Sequence, residues 1–178
     1  MKHNKILYIL IINIILAGLC SCATIPKGAV AVKNFDKEKY LGKWYEIARK
    51  DFKYERNLNN TTAEYSLNKN GTIKVLNKGY NTIKKEWTQV TGKAKFIDKE
   101  NIGMLKVSFF GPFYSGYNVI AIDDDYKYAL VAGASHKYLW FLSRDTTMPI
   151  KIKNKYLKLA KEIGYDTTDL IWVQHNKQ

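Results

Sequence analysis

Cysteine is nearly absent from this 178-residue chain: Cys20 and Cys22 are the only two, and both sit at the end of an N-terminal apolar stretch. Residues 23–178 therefore have no disulfide partner and no thiol nucleophile. Histidine is almost as scarce. Beyond His3 there are His136 and His175, far apart and joined by no His/Cys/carboxylate ligand spacing, so no metal site is expected. Ser66, Ser108 and Ser143 lack a recognisable His–Asp pairing. Asp123-Asp124-Asp125 lacks the rest of a calcium loop and reads as a solvated turn. Neither a cofactor nor catalysis is expected. There is no internal repeat, low-complexity linker or second-domain boundary, and the length suits one domain with a substantial core.

The N-terminus has its own character. Lys2 and Lys5 precede an apolar run over 6–19, broken by Asn13, and then comes Leu19-Cys20-Ser21-Cys22. This is a secretory signal, too short for an ordinary membrane span. Its end resembles a bacterial lipobox, in which the last cysteine is acylated and becomes the first mature residue. Residues 1–21 are thus expected to be a lipoprotein signal peptide, 22–33 an anchor and short tether with Cys22 carrying lipid, and 34–178 the folded domain. Ala23 is not the aspartate that retains many lipoproteins of this kind in the inner membrane, so a lipid-anchored outer-membrane protein is expected for a Gram-negative source. Of the 29 basic residues, Lys2 and Lys5 leave with the signal, so 27 face all 16 acidic residues, a formal +11. Such a charge suits anionic lipid or a solvated lysine-rich surface. Export, and the lack of a basic helix or aromatic-basic repeat, argue against nucleic acid.

From Gly42 to Arg144 the pattern is strand after strand, predicted at 42–51, 61–68, 72–80, 84–98, 104–110, 116–123, 126–134 and 137–144. Asn68-Lys69-Asn70-Gly71 and Asp123–Asp125 are hairpin turns by composition. Then the period changes. Ile152, Tyr156, Leu159, Ala160 and Ile163 form one helical stripe, with Thr147 and Pro149 as start signals and Gly164 as the stop. A short strand over 170–174 follows. Eight sequential strands bury an apolar face and lose their edges by closing on themselves. The expected fold is all-β: an eight-stranded antiparallel up-and-down barrel, with one C-terminal helix packed outside against Tyr45 and Ile47.

In such a barrel strand eight ends beside the start of strand one, which brings Arg144 to Trp44. A guanidinium on an indole face is worth about 1–2 kcal/mol when partly desolvated, and Gly42 lets the chain pass closely. The resemblance becomes specific here. Gly42-x-Trp44, Arg144 ending the last barrel strand and the helix after it look like the lipocalin family. The runs Tyr40-Leu-Gly-Lys-Trp-Tyr-Glu-Ile-Ala-Arg49, Lys106-Val-Ser-Phe-Phe-Gly-Pro-Phe-Tyr114, Gly116-Tyr-Asn-Val-Ile-Ala121 and Leu142-Ser-Arg144 resemble its bacterial outer-membrane lipoproteins, relatives of animal apolipoprotein D. The family's Thr-Asp-Tyr motif reads Ile122-Asp123-Asp124-Asp125-Tyr126 here. The lumen cysteine of the family's isomerising branch is missing too.

Alternation from Trp44 and Arg144 places Glu46, Ala48 and Lys50, and Tyr138, Trp140 and Leu142, inside the barrel. The more apolar faces put Ala63, Tyr65 and Leu67, then Ile73, Val75 and Asn77, then Leu105, Val107 and Phe109 there too. Strand six is apolar on both faces. The resemblance favours Tyr117 and Val119, because matching positions of Tyr65, Asn77, Tyr117 and Trp140 line the pocket of the apolipoprotein D relatives. The expected ligand contacts are therefore Tyr65, Asn77, Val107 and Phe109, together with Tyr117, Val119, Tyr138 and Trp140. An apolar lumen with a few phenols, an amide and an indole suits a fatty acid or lysophospholipid.

Loops after the odd strands form the open end. Lys50, Lys53 or Arg56 is expected to meet a carboxylate or phosphate head group. Phe113 and Tyr114 have three readings that the pattern does not rank: a gate, a membrane contact or a homodimer contact. Two functions fit: an anchored protein that stores or ferries lipid in the envelope, or an envelope scaffold with a filled barrel.

Overall fold

The computed structural model describes residues 24–177; the signal peptide and Cys22 lie outside the described residues. A one-turn helix, α1 (Lys37–Tyr40), is capped by Asp36, whose side chain accepts from the Lys39 amide. Eight strands follow: β1 (Gly42–Arg49), β2 (Leu58–Leu67), β3 (Ile73–Asn81), β4 (Glu86–Phe96), β5 (Met104–Ser108), β6 (Ser115–Ile122), β7 (Tyr128–Ala132) and β8 (Leu139–Ser143). Helix α2 (Ile150–Ile163) and the short β9 (Ile171–Trp172) complete the chain. Each strand pairs antiparallel with the next, and β1 pairs with both β2 and β8, so the sheet closes. β9 adds to the outside of β1 through Arg49 and Ala48.

The barrel, its strand order and the outer helix agree with the sequence pattern. The predicted seventh strand is shortened at its start. Asp123 Oδ1 accepts from the Lys127 and Tyr128 amides, and Tyr126 is left-handed at φ 56°, which holds the turn closed as far as residue 127. α1 leaves little trace in the sequence. Only its cap, Asp36, signals it, because one turn is too short to show a period.

Two apolar layers share the wall. The inner one gathers Trp44, Tyr65, Val75, Leu105, Val119 and Leu142. The outer one packs Tyr156 and Ala160 of α2 on Ile47, Leu130, Leu139 and Phe141. Helix α2 starts after Pro149 and ends at Gly164, whose φ of 105° and amide bonds to the Ala160 and Lys161 carbonyls are those of a left-handed cap.

Candidate functional site

At the closed end Trp44 is fully buried, and the Arg144 guanidinium carbon lies 3.9 Å from the centre of its ring. Arg144 also donates to the carbonyls of Lys39 (2.7 Å), Leu41 (2.8 Å), Lys43 (2.8 Å), Tyr40 (3.2 Å) and Tyr126 (3.2 Å). One side chain thus ties α1, β1 and the β6–β7 turn together. Trp44 Nε1 donates to the Tyr40 carbonyl at 2.8 Å, so the indole is satisfied although buried. Gly42 has φ 90°, and a Cβ there would stand 3.4 Å from Arg144 Nη1. Glycine is required here by the positive φ; the arginine alone would leave a Cβ in ordinary contact.

Above this floor lies an open cavity of about 510 Å³, within the range of small-molecule sites. Tyr65, Asn77, Val107, Phe109, Tyr117, Tyr138 and Trp140 all reach its wall. Val119 does not. It is fully buried in the inner layer, two residues beyond Tyr117 along β6 toward the closed end. Leu67 lies near the closed end, 46% exposed.

The floor of the cavity carries a chain of phenols. Tyr117 Oη lies 2.6 Å from Tyr40 Oη and 2.7 Å from Tyr65 Oη. Three hydroxyls sharing two hydrogen bonds leave one proton to donate elsewhere. Burial raises the pKa of all three; the bond to Tyr117 offsets this only in part at Tyr40 and Tyr65, and at Tyr117 the two bonds push the same way as burial, so all stay neutral. Higher up, the buried Asn77 Oδ1 has no hydrogen-bond partner among the described residues. A ligand hydroxyl or amide could donate to it.

The mouth-side wall departs most from the sequence expectation. Partners directly opposite in a sheet share a face. Glu46 faces Leu142, but Ala48 faces Phe141 and Arg49 faces Trp140, with a register shift between Glu46 and Ala48. This bulge reverses the alternation. Glu46 stays at the lumen, Ala48 joins the outer layer, and Arg49 turns in where Lys50 was expected. Lys50 instead pairs with Asp169 and donates to the Asp166 carbonyl at 3.2 Å. Arg56 holds Asp51 with a closest contact of 2.6 Å, and Lys53 lies over the Tyr54 ring at 4.7 Å. The expected basic head-group cluster is therefore not assembled; none of the three lines the cavity.

Its place is taken by buried charge. Arg49 Nη1 donates to Glu46 Oε1 at 2.6 Å, and Nη2 donates to the carbonyls of Glu55 (2.6 Å) and Leu58 (3.0 Å). Glu55, from the β1–β2 loop, reaches back to the cavity and accepts from Trp140 Nε1 at 3.1 Å. Its carboxyl is pushed up to about 8, first by burial and then by the negative charge of Glu46, against the Trp140 bond and Arg49. Burial also raises Glu46, but Arg49 bonds it directly and favours its charged form. At neutral pH the wall thus holds a protonated Glu55, a hydrogen-bond donor facing the cavity, beside the buried Glu46–Arg49 pair. Nothing in strand periodicity could reveal a loop carboxyl folding inward.

At the rim, Phe52 packs edge-on against Tyr138 (5.5 Å) and Trp140 (6.3 Å), and Tyr54 meets Phe110 across the opening at 6.2 Å. Among the described residues no group of three His, Cys, Asp or Glu is placed to hold a metal ion.

Residues 35–175 match the family model described as a lipocalin-like domain. Outer membrane lipoprotein Blc of Escherichia coli (strain K12) is 50% identical over 155 residues, 87% of this chain and 88% of that protein. The Blc of Vibrio cholerae is 43% identical over 171 residues, 96% of this chain and 98% of its own length. Insecticyanin of the tobacco hornworm Manduca sexta, at 19% identity, superposes with a TM-score of 0.69 over 84% of this chain and 85% of its own, a likeness of fold. The closed barrel, the outer helix, the Trp44–Arg144 floor and these matches lead to one conclusion: the chain belongs to the lipocalin family.

Proposed function

We propose that this protein is a lipid-anchored outer-membrane lipocalin that binds a fatty acid, a lysophospholipid or a similar long hydrophobe, and stores or carries it within the cell envelope. The observation that supports this reading most is the open, largely apolar cavity above a sealed floor. A scaffold would need no such space, and a barrel packed shut does not fit about 510 Å³ of it. The names of the Blc relatives, outer membrane lipoproteins, support the location and the anchor at Cys22.

The wall suggests how a ligand is held. The acyl chain lies against Val107, Phe109 and Trp140, while Asn77, the phenols and neutral Glu55 offer a few polar contacts to its oxygens. Apolar area supplies most of the affinity, at roughly 25 cal/mol per Å² removed from water before the costs of association. The test is displacement of an environment-sensitive fluorescent fatty acid by unlabelled fatty acid and lysophospholipid. Stoichiometric competition, one molecule per barrel, supports the reading. Failure of any acyl compound to bind overturns it.

A further inference from the structure

The start of the described chain lies at the mouth, not at the floor. The Thr24 carbonyl accepts from Asn118 Nδ2 at 2.7 Å and lies against Gly116, where a Cβ could not fit. Gly116 is the second residue of β6, directly after the mouth loop that carries Phe110 and Phe113. Gly28 then passes beside the Ile163 carbonyl, which also bonds His136 of the β7–β8 mouth loop at 3.1 Å. From there the segment descends the outside of the barrel. Val32 bonds Val119 (2.9 Å), Gly103 bonds Val32 (2.8 Å) and Phe35 bonds Asn101 (2.9 Å), after which α1 crosses the floor. Cys22 precedes Thr24 by two residues, a reach of at most about 7 Å even when extended. A lipid on Cys22 therefore leaves the protein beside the open end.

That same end carries exposed apolar side chains on three loops. Tyr54 is 61% exposed, Ile83 72%, Phe110 64% and Phe113 80%. At the opposite end Leu67 and Ile150 stand singly. The wall is also incomplete at the mouth. β5 pairs only with Lys93–Phe96 of β4, so the rim half of β4, with the exposed Trp87 and Val90, has no paired strand on that side among the described residues. Charge plays a smaller part. Lys53, Lys84, Lys85 and Lys137 surround the tips, against Glu86 near Lys84 and an Asp51 held by Arg56.

We propose that the mouth rests on the bilayer that holds the anchor, with Tyr54, Ile83, Phe110 and Phe113 seated in the lipid interface. The occupant of this apolar rim is then a phospholipid surface, and an acyl ligand passes between bilayer and cavity without crossing open water. The inference rests on the anchored, lipid-binding reading above. Rim aromatics flanked by lysine are suited to the interfacial zone, and the short tether leaves the barrel little freedom to present another face.

The test uses the full-length lipidated protein in vesicles of phosphatidylethanolamine and phosphatidylglycerol. With Cys22 acylated, one introduced cysteine is the sole free thiol for a nitroxide label. Phe113→Cys reports the rim and Leu67→Cys the closed end. Both sites are exposed, and Ile83→Cys is a second rim reporter should the first variant misfold. The rim labels are expected to collide with dissolved oxygen several-fold more, relative to an aqueous nickel chelate, than the label at 67. A label at 67 in the lipid, equal aqueous exposure at both ends, or spin–spin broadening from rims paired between two copies would each overturn the proposal. Displacement of the fluorescent fatty acid, read on the same vesicles, separates the two levels: retained binding with an aqueous rim sinks the orientation alone, whereas lost binding sinks the ligand reading beneath it.

Discussion

The two ends of this barrel are built from the same residue types to opposite effect. At the closed end a fully buried indole packs against Tyr40 of α1 and lies under the half-buried Arg144, whose side chain spends its hydrogen bonds on five backbone carbonyls. At the open end tyrosine and phenylalanine stand in solvent, half of β4 has no paired strand on one side among the described residues, and a carboxyl is kept neutral inside the wall. Satisfied polar groups and filled volume make the first end a clamp. Unfilled volume and exposed apolar surface make the second a place of exchange.

The comparison breaks most sharply at the floor. Trp44→Ala is expected to cost about 3–5 kcal/mol of stability, the usual range for a buried tryptophan, measured by urea unfolding. Arg144→Ala should cost about 3 kcal/mol, through carbonyls left without a charged donor and a lost stack on the indole. A loss below 1 kcal/mol for either would show that the floor is not the clamp described.

Filling the cavity should do the reverse. Val107→Trp is expected to weaken fatty-acid binding by about tenfold or more, while overpacking costs about 1–3 kcal/mol. Calorimetric titration beside thermal unfolding separates the two effects. Unchanged affinity would mean that the ligand does not lie along β5.

Glu55 gives the pH dependence. Its folded-state value of about 8 lies above the ordinary 4.5, so between these values the folded protein holds a proton that the unfolded chain has released. Stability from this group is full below about 4.5 and is lost as pH rises through about 8. Glu55→Gln should flatten that decline. The same ionisation places a negative charge on the cavity wall, so affinity for an anionic fatty acid should fall above pH 8 in the native protein and not in Glu55→Gln. Parallel profiles for the two proteins would remove Glu55 from the site.

The smallest effect is expected at the outward bases. Lys50→Ala and Arg56→Ala should each change stability little, as the loss of an ion pair at the surface does, and leave ligand affinity unchanged. A clear loss of affinity would restore them to the head-group role read from the sequence.

The same contrast separates what the sequence reveals from what it conceals. The floor is legible because closure of an eight-strand meander must bring the end of β8 beside the start of β1, whatever the side chains between. Most of the cavity wall is legible too, since Tyr65, Asn77 and Val107 follow strict alternation. The mouth-side wall is not. One extra residue at the β1 bulge exchanges Arg49 for Lys50, and no apolar pattern marks it because both are basic. Glu55 and Phe52 come from a loop, where no period applies, and reach the site only because the loop folds back over Arg49. Val119 faces inward as read, but depth along the barrel, which alternation does not encode, places it beyond Tyr117 toward the closed end.

The most direct test of the account is native mass spectrometry of the mature protein purified from cells, followed by organic extraction of whatever it carries. The account predicts a bound fatty acid or lysophospholipid at close to one per barrel, released on unfolding. A protein that emerges empty and then takes up no acyl chain offered to it would contradict the account at its centre.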